Sequence, residues 1–286
     1  MKSSRLLKFS LYADDTCLSL ASNHLPNLMD VFNSEVAKVD SWFKANYLTL
    51  NPSKSNYVIF HRDRKRVPSL RSGLAIGGQE VVRVTVVRFL GVLLDECLKF
   101  SNHVNSVACK VSRYTSIVYK LRRYLDLDSL KLVYHTMIYS NITYCISAWG
   151  ASSASVLNPL LLAQKAVIRA VMGRPRFSHT RELYQQLNFL IINKIYTYMV
   201  ALYVWKALDS GATNEFRIRD STGYSLRSVD PSTLAVPFIN SSHSQRSIKF
   251  AGPKIYNDIP SGVKSADNYN TFKINFKKFL LNTNSS

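Results

Sequence analysis

The sequence predicts an α+β chain, and three observations carry that prediction. Residues 1–100 hold short alternating or Val-rich runs, each bounded by turn-forming residues. From Asn102 the apolar period changes to that of a helix and persists, segment by segment, to Leu208. Residues 212–266 then turn polar, rich in Ser, Thr, Asn and Asp, and read as a loop-rich stretch with two short strands.

The elements follow in order. Leu6 to Tyr12 and Cys17 to Leu20 flank Asp14 and Asp15, which predicts a β-hairpin with adjacent acids at its tip. Side chains alternate faces along a strand, so the two carboxylates should diverge, with Asp14 the one that faces a site. Paired acids at a tip suit a hard divalent cation, but on these residues alone an ordinary solvated turn is the preferred reading. Leu25, Leu28, Met29, Phe32, Val36, Val39, Trp42 and Phe43 recur at helical spacing, with Pro26 in the first turn and Asn46 as the stop. That helix should lie across the back of the hairpin sheet. Asn51-Pro52-Ser53 makes a turn, and Lys54 stands at the entry to a strand from Tyr57 to Phe60. His61 to Arg66 is a charge-rich solvated run. Gly77-Gly78 separates Leu74–Ile76 from the run Val81 to Val87, and Phe89 to Leu94 follows as a further strand. Within it Gly91 permits either close backbone approach or a bulge.

In the second half, Val104, Val107, Ala108, Val111, Thr115, Val118 and Leu121 form one helical face, and Lys110, Arg113, Lys120 and Arg123 fall roughly opposite. Such a stripe can track a phosphate backbone or simply be the solvated face of a bundle helix. Asp128-Ser129 reads as the cap of one long helix, Leu130 to Trp149. Leu157 to Met172, stopped by Gly173-Arg174-Pro175, Thr180 to Leu187, and Ile192 to Leu208, ended by Gly211, complete a bundle. Phe272, Phe276, Phe279 and Leu280 predict a short basic amphipathic helix, interleaved with Lys273, Lys277 and Lys278. It could dock on the body, touch nucleic acid or lie on a membrane. The last five residues are expected to be disordered.

Composition narrows the function classes. Length allows one large or two small domains, and the 47% hydrophobic content is that of a packed globular chain. Lys+Arg number 37 against 18 for Asp+Glu, a net charge of +19. Between residues 101 and 200 we count 12 basic and 3 acidic side chains, so about +9 lies there. This points to a polyanionic partner, and interleaved Tyr and Phe favour nucleic acid over an acidic membrane. Cys17, Cys97, Cys109 and Cys145 form no C-x-x-C pair, which argues against a disulfide framework or zinc knuckle. Cys97, His103 and Cys109 are evenly spaced, without an evident fourth ligand. The cysteines are expected to be buried free thiols, in keeping with an intracellular setting, nucleus or cytoplasm. No signal peptide is evident, and Ile195 to Trp205 is too short to span a bilayer.

Four stretches, in order, resemble the reverse transcriptases of non-LTR (LINE-type) retrotransposons. They are Tyr12-Ala13-Asp14-Asp15; Leu48 to Ser55 with the strand behind it; Arg88 to Asp95, with Leu98 and His103 following; and Ser247 to Pro260. The resemblance implies the C-terminal part of such a polymerase. Residues 1–66 would be the last part of the palm with the acidic hairpin, and 67–100 a β-rich primer grip. Residues 101–211 would be a helical thumb, and 212–286 an element-specific segment. The implied activity is RNA-directed DNA synthesis on an RNA template and DNA primer with dNTP, using two Mg²⁺ or Mn²⁺ ions. Asp14 and Asp15 would ligate metal, and Lys54 would be the general acid for pyrophosphate, although a solvated lysine fits that turn as well. Tyr12, Asn51, Gly91, Lys110, Arg113, Lys120 and Arg123 would contact nucleic acid. The family also uses a third carboxylate on an upstream palm strand. Only 13 residues precede Asp14 and none is acidic, so the chain alone is expected to be inactive. A non-catalytic nucleic-acid-binding remnant, or the product of a decayed copy, is the alternative.

Overall fold

The structure is a computed structural model that describes residues 6–22, 24–61, 73–211, 216–218 and 233–283. Most of the charge-rich run after His61, the boundary expected at 66/67, Pro231 and Asn284 to Ser286 lie outside the described residues. The chain forms two compact units, Met1–Leu98 and Lys99–Ser286.

The first unit is α+β, as the sequence predicts. Strands β1 (Lys8–Tyr12) and β2 (Asp15–Ser19) pair antiparallel, with Tyr12 opposite Asp15. Helix α1 (Leu25–Ala45) starts with Pro26 in its first turn and ends at Asn46. After a 3₁₀ turn at Pro52–Lys54 come β3 (Asn56–Tyr57), β4 (Leu74–Ile76), β5 (Gln79–Arg83), β6 (Val86–Phe89) and β7 (Val92–Asp95). Their order is β3-β5-β4 in one sheet and β6-β7 in another. Gly77 and Gly78, at φ +58 and +82, make the two-residue turn between β4 and β5. Met29, Val36, Leu74 and Val81 form a small core, flanked by Leu18, Phe32, Tyr57, Ile59 and Ile76. The expectation that α1 covers the hairpin is corrected in part. Leu18 joins this core, but α1 is sewn to β4: Asn33 donates to the Gly73 carbonyl at 3.0 Å and accepts from the Ala75 amide at 3.0 Å.

Two strands are expected where the chain makes a hairpin or stops short. The run Phe89 to Leu94 is not one strand, because Leu90 (φ +44) and Gly91 (φ +80) form a two-residue turn between β6 and β7. Successive positive φ values are the turn geometry whose twist matches paired strands. The strand expected from Tyr57 to Phe60 is regular only over Asn56–Tyr57, where it pairs parallel to β5.

The second unit is helical. It contains α2 (Ser101–Leu121), α3 (Leu127–Val133), a π-helical turn (Tyr134–Tyr139), α4 (Ser140–Thr143), α5 (Ile146–Trp149), α6 (Ala154–Val171), α7 (Arg181–Leu187) and α8 (Ile192–Asp209). Then follow α9 (Ser242–Gln245), α10 (Ile248–Asn257), α11 (Ser261–Lys264) and α12 (Tyr269–Asn282). Val104, Val111 and Val118 of α2 are wholly enclosed, as are Leu160, Val167 and Ile168 of α6, and Ile195, Val200 and Val204 of α8. Helix α6 is long and apolar enough to cross a membrane by length and composition, yet its apolar face lies in this core. The segment Ile195 to Trp205 falls within α8 and is likewise core.

Three expectations for this unit need correcting. The single helix from Leu130 to Trp149 is broken at Tyr144-Cys145, where Cys145 takes φ +51 and the Trp149 indole N–H donates to the Tyr144 carbonyl at 2.9 Å. Its cap is Asp126, whose carboxylate accepts from the Ser129 amide at 2.9 Å, while Asp128 pairs with Lys131 at 2.9 Å. Residues 242–264, expected to be loop, hold three helices, and Ile218 bridges Leu234 as an isolated β-pair. Glycine and proline ordinarily disfavour a helix interior, yet Gly252-Pro253 lies within α10. A Cβ at Gly252 would stand 3.0 Å from Val204 Cγ2 and 3.1 Å from a Phe216 ring carbon. That glycine lets α10 approach α8.

The terminal helix docks on the body. Phe272 stacks on Trp205 at 5.5 Å and Phe276 on Tyr198 at 6.0 Å, and the Lys194 ammonium donates to the Thr283 carbonyl at 2.8 Å. The thiols are not buried as expected: Cys17, Cys109 and Cys145 are exposed and Cys97 is half-buried. Apolar neighbours are a poor guide here, because Cys17 alternates with the inward-facing Leu18 and Cys109 lies off the buried face of α2.

Candidate functional site

The acidic hairpin stands out from its unit. Asp14 occupies the turn after Ala13, which takes φ +50, and Asp15 opens β2. Strand pairing and the packing of Leu18 on the small core hold this geometry, because every other β1 and β2 residue except the partly covered Phe9 is exposed. Leu11 and Tyr12, 58% and 65% exposed, present apolar surface beside the two carboxylates. Neither acid has a side-chain hydrogen bond or ion pair among the described residues. The donor chemistry, two adjacent hard carboxylates, fits Mg²⁺ or Mn²⁺ in part. Among the described residues no three His, Cys, Asp or Glu side chains gather to complete a metal site. His103, one of the evenly spaced trio weighed for metal, lies instead against the Trp149 ring at 5.4 Å.

Asn51 and Lys54 come together in one turn. The Asn51 carboxamide oxygen caps the 3₁₀ turn, accepting from the amides of Ser53 at 3.1 Å and Lys54 at 3.3 Å and from the Ser53 hydroxyl at 2.6 Å. Asn51 therefore shapes the loop that carries Lys54, whose side chain is exposed. Gly91 lies in the β6–β7 turn, where its positive φ is required by the hairpin itself.

The basic residues assemble on α2. Lys110, Arg113 and Lys120 are all exposed, and at 100° per residue they fall within an arc of about 80°. Ile117, on the same arc, is 40% exposed. Arg123 follows one residue after the helix cap Arg122 and is also exposed. None of the four forms an ion pair among the described residues, so the stripe is a field of uncompensated positive charge. Sequence periodicity misses Arg122. Its guanidinium lies 5.4 Å over the Tyr119 ring and against Gly173, at the end of α6, where an added Cβ would stand 2.6 Å from Nη2. The only signal in the sequence is a glycine at a helix end, which reads as a stop.

Comparison with known proteins gives one consistent answer. The chain is 25% identical over 175 residues to an RNA-directed DNA polymerase from the mobile element jockey of Drosophila funebris, covering 60% of this chain and 19% of that protein. It is 26% identical over 184 residues to a probable RNA-directed DNA polymerase from transposon X-element of Drosophila melanogaster, covering 63% and 20%. The jockey polymerase of Drosophila melanogaster is 23% identical over 181 residues, covering 62% and 19%. All are polymerases of LINE-type retrotransposons, the group that the four motifs resemble. The chain spans about a fifth of the length of the curated relatives it matches. No protein-family profile and no solved structure matches it.

Proposed function

We propose that this chain is the C-terminal part of a retrotransposon RNA-directed DNA polymerase, one that grips template and primer and contributes carboxylates to nucleotidyl transfer. The similarity to such polymerases over about 60% of the chain carries the reading. In it the first unit supplies the end of the palm and the primer grip, and the second a thumb followed by an element-specific segment. Asp14 and Asp15 hold Mg²⁺ or Mn²⁺, and Tyr12 lies beside the primer end. Lys54, set by the Asn51-capped turn, gives a proton to the departing pyrophosphate, a role worth about two to four orders of magnitude in rate. Bound metal would neutralise the phosphate under attack and favour the ionised primer hydroxyl. Lys110, Arg113, Lys120 and Arg123 neutralise phosphates along the template–primer duplex, and Gly91 lies in the loop that approaches its backbone.

A second reading, a nucleic-acid-binding segment without catalysis of its own, is favoured for the isolated chain by one observation. The β1–β2 hairpin pairs only with itself among the described residues, and Leu11, Tyr12 and both acids face outward. A two-stranded hairpin is marginal alone, and its open edges and bare apolar side chains suit further strands. Primer extension by the purified chain, with Mg²⁺ and with Mn²⁺, tests the choice against Asp14→Ala. We expect salt-dependent binding of an RNA–DNA hybrid without extension. Extension abolished by Asp14→Ala would establish catalysis by the chain itself. Binding that ignores salt, or no binding, would remove both readings.

A further inference from the structure

The α2 stripe does not exhaust the basic surface of the second unit. The Arg122–Gly173 contact brings the turn that closes α2 beside the turn that closes α6. Gly173 is fixed there twice over: its φ is +63, and its missing side chain is the space that Arg122 fills. Around this contact lie Lys120, Arg123, Arg174 and Arg176, all exposed and none in an ion pair among the described residues. Beside them stand three large aromatic rings in water: Tyr119 at 55% exposure, Tyr124 at 84% and Phe177 at 89%. The Arg176 guanidinium lies 5.9 Å from the centre of the Phe177 ring. The second turn is ordered, since Arg169 Nε donates to the Ser178 carbonyl at 2.8 Å and the Ser178 amide to the Pro175 carbonyl at 3.1 Å.

A single exposed aromatic is ordinary on a protein surface. Three of them interleaved with arginines, on two turns pinned together, are not explained by packing, because they contact little. Nor are they explained by solubility, since five like charges gathered here, with Asp126 the nearest acid in sequence and engaged as the α3 cap, repel one another. The chemistry that uses both features is a strand of phosphates carrying unpaired bases. A base in a duplex is stacked on its neighbours and offers no face, whereas an unpaired base can lie on an aromatic ring while arginines neutralise the flanking phosphates.

We propose that the turns Tyr119–Tyr124 and Gly173–Phe177 form a stacking site for unpaired nucleotides, separate in chemistry from the α2 stripe that holds a duplex. The site rests on the nucleic-acid reading above and adds to it a preference for single strands. It places an unpaired stretch of the bound nucleic acid at the end of the α2–α6 pair, where Tyr124 and Phe177 supply ring faces and Arg122 supplies a pre-positioned planar cation. Arg122 is held by the Tyr119 ring and by the walls of the Gly173 turn, so it loses little freedom on binding.

The test uses the full chain and two labelled probes, an oligouridylate and a blunt RNA–DNA hybrid, followed by fluorescence anisotropy across a salt series. Tyr124→Ala with Phe177→Ala should weaken oligouridylate binding by about 5-fold to 100-fold. Hybrid affinity and the salt slope of both probes should stay as in wild type. Both side chains are exposed, and a thermal melt confirms that the variant keeps its fold. Lys110→Glu with Arg113→Glu should do the converse, lowering hybrid affinity more than oligouridylate affinity. An aromatic variant that leaves the oligouridylate unaffected, or weakens both probes equally, overturns the stacking site while the duplex reading stands. Wild-type protein that binds neither probe overturns the nucleic-acid reading, and the stacking site with it.

Discussion

Gln164 Oε1 accepts the backbone N–H of Ile192 at 3.0 Å inside the helical core, where both residues are wholly buried. The same carboxamide donates to the Leu190 carbonyl at 3.0 Å and to the Tyr134 hydroxyl at 3.0 Å. One side chain on α6 thus satisfies the start of α8, the chain that leads into it, and the π-helical turn. Burial raises the Tyr134 phenol well above its ordinary range, so it stays protonated throughout physiological pH. Gln164→Leu keeps the volume and removes every partner at once. Each buried group left unpaired costs about 1 to 3 kcal/mol, so we expect a loss of about 3 kcal/mol or more in urea unfolding. A loss below about 0.5 kcal/mol would show that water replaces the amide and that this clamp contributes little.

Gly252 sets how closely α10 lies on α8. An added Cβ meets Val204 at 3.0 Å and Phe216 at 3.1 Å, and both residues are buried. Gly252→Ala should be close to neutral, because a helix-propensity gain of about 1 kcal/mol offsets a tight contact. Gly252→Val adds two further methyl groups to the same contact and should destabilise by about 1 to 3 kcal/mol. Thermal unfolding of the two variants side by side measures this. Equal stability of the alanine and valine variants would show that the interface yields freely.

What sequence can show here depends on whether the deciding force is local. Helix α1 is legible to its ends because Pro26 and Asn46 act within one turn of chain. The buried face of α2 is legible because Val104, Val107, Val111 and Val118 repeat on one side. The β6–β7 turn is hidden because Leu90 adopts a left-handed conformation that leucine rarely takes, so nothing but Gly91 marks it. The break before α5 has no glycine or proline to announce it; Cys145 adopts φ +51 and the Trp149 indole closes on Tyr144 across the gap. Helix α10 is hidden because Gly252 answers to Val204 and Phe216, which are distant in sequence. The same holds for the candidate site. The acids of the hairpin and the stripe on α2 are legible as motif and period, whereas Arg122 and Gly173 acquire meaning only when two helix ends meet.

His135 provides a test of the surface between the π-helical turn and α12. Its ring lies 5.0 Å from Phe189 and 5.3 Å from Tyr139. Its pKa is lowered from the ordinary value, first by burial among these rings and second by the Lys277 ammonium. Lys277 is in turn lowered by burial and by its neighbour Lys273. Because the folded-state pKa of His135 lies below the unfolded value of about 6.5, the unfolded chain binds the proton more tightly. Stability tied to this group is therefore present above pH of about 6.5 and is lost as pH falls through the folded-state pKa. The ring is only partly covered by its neighbours, so the effect on global stability should be small. Proton NMR titration reads it directly. Lys277→Gln should raise the His135 pKa while leaving it below the ordinary value, because the burial contribution remains. His135→Gln should flatten the decline in melting temperature as pH falls below about 6.5. An unchanged His135 titration in the Lys277 variant would mean that α12 does not hold its lysine beside the ring.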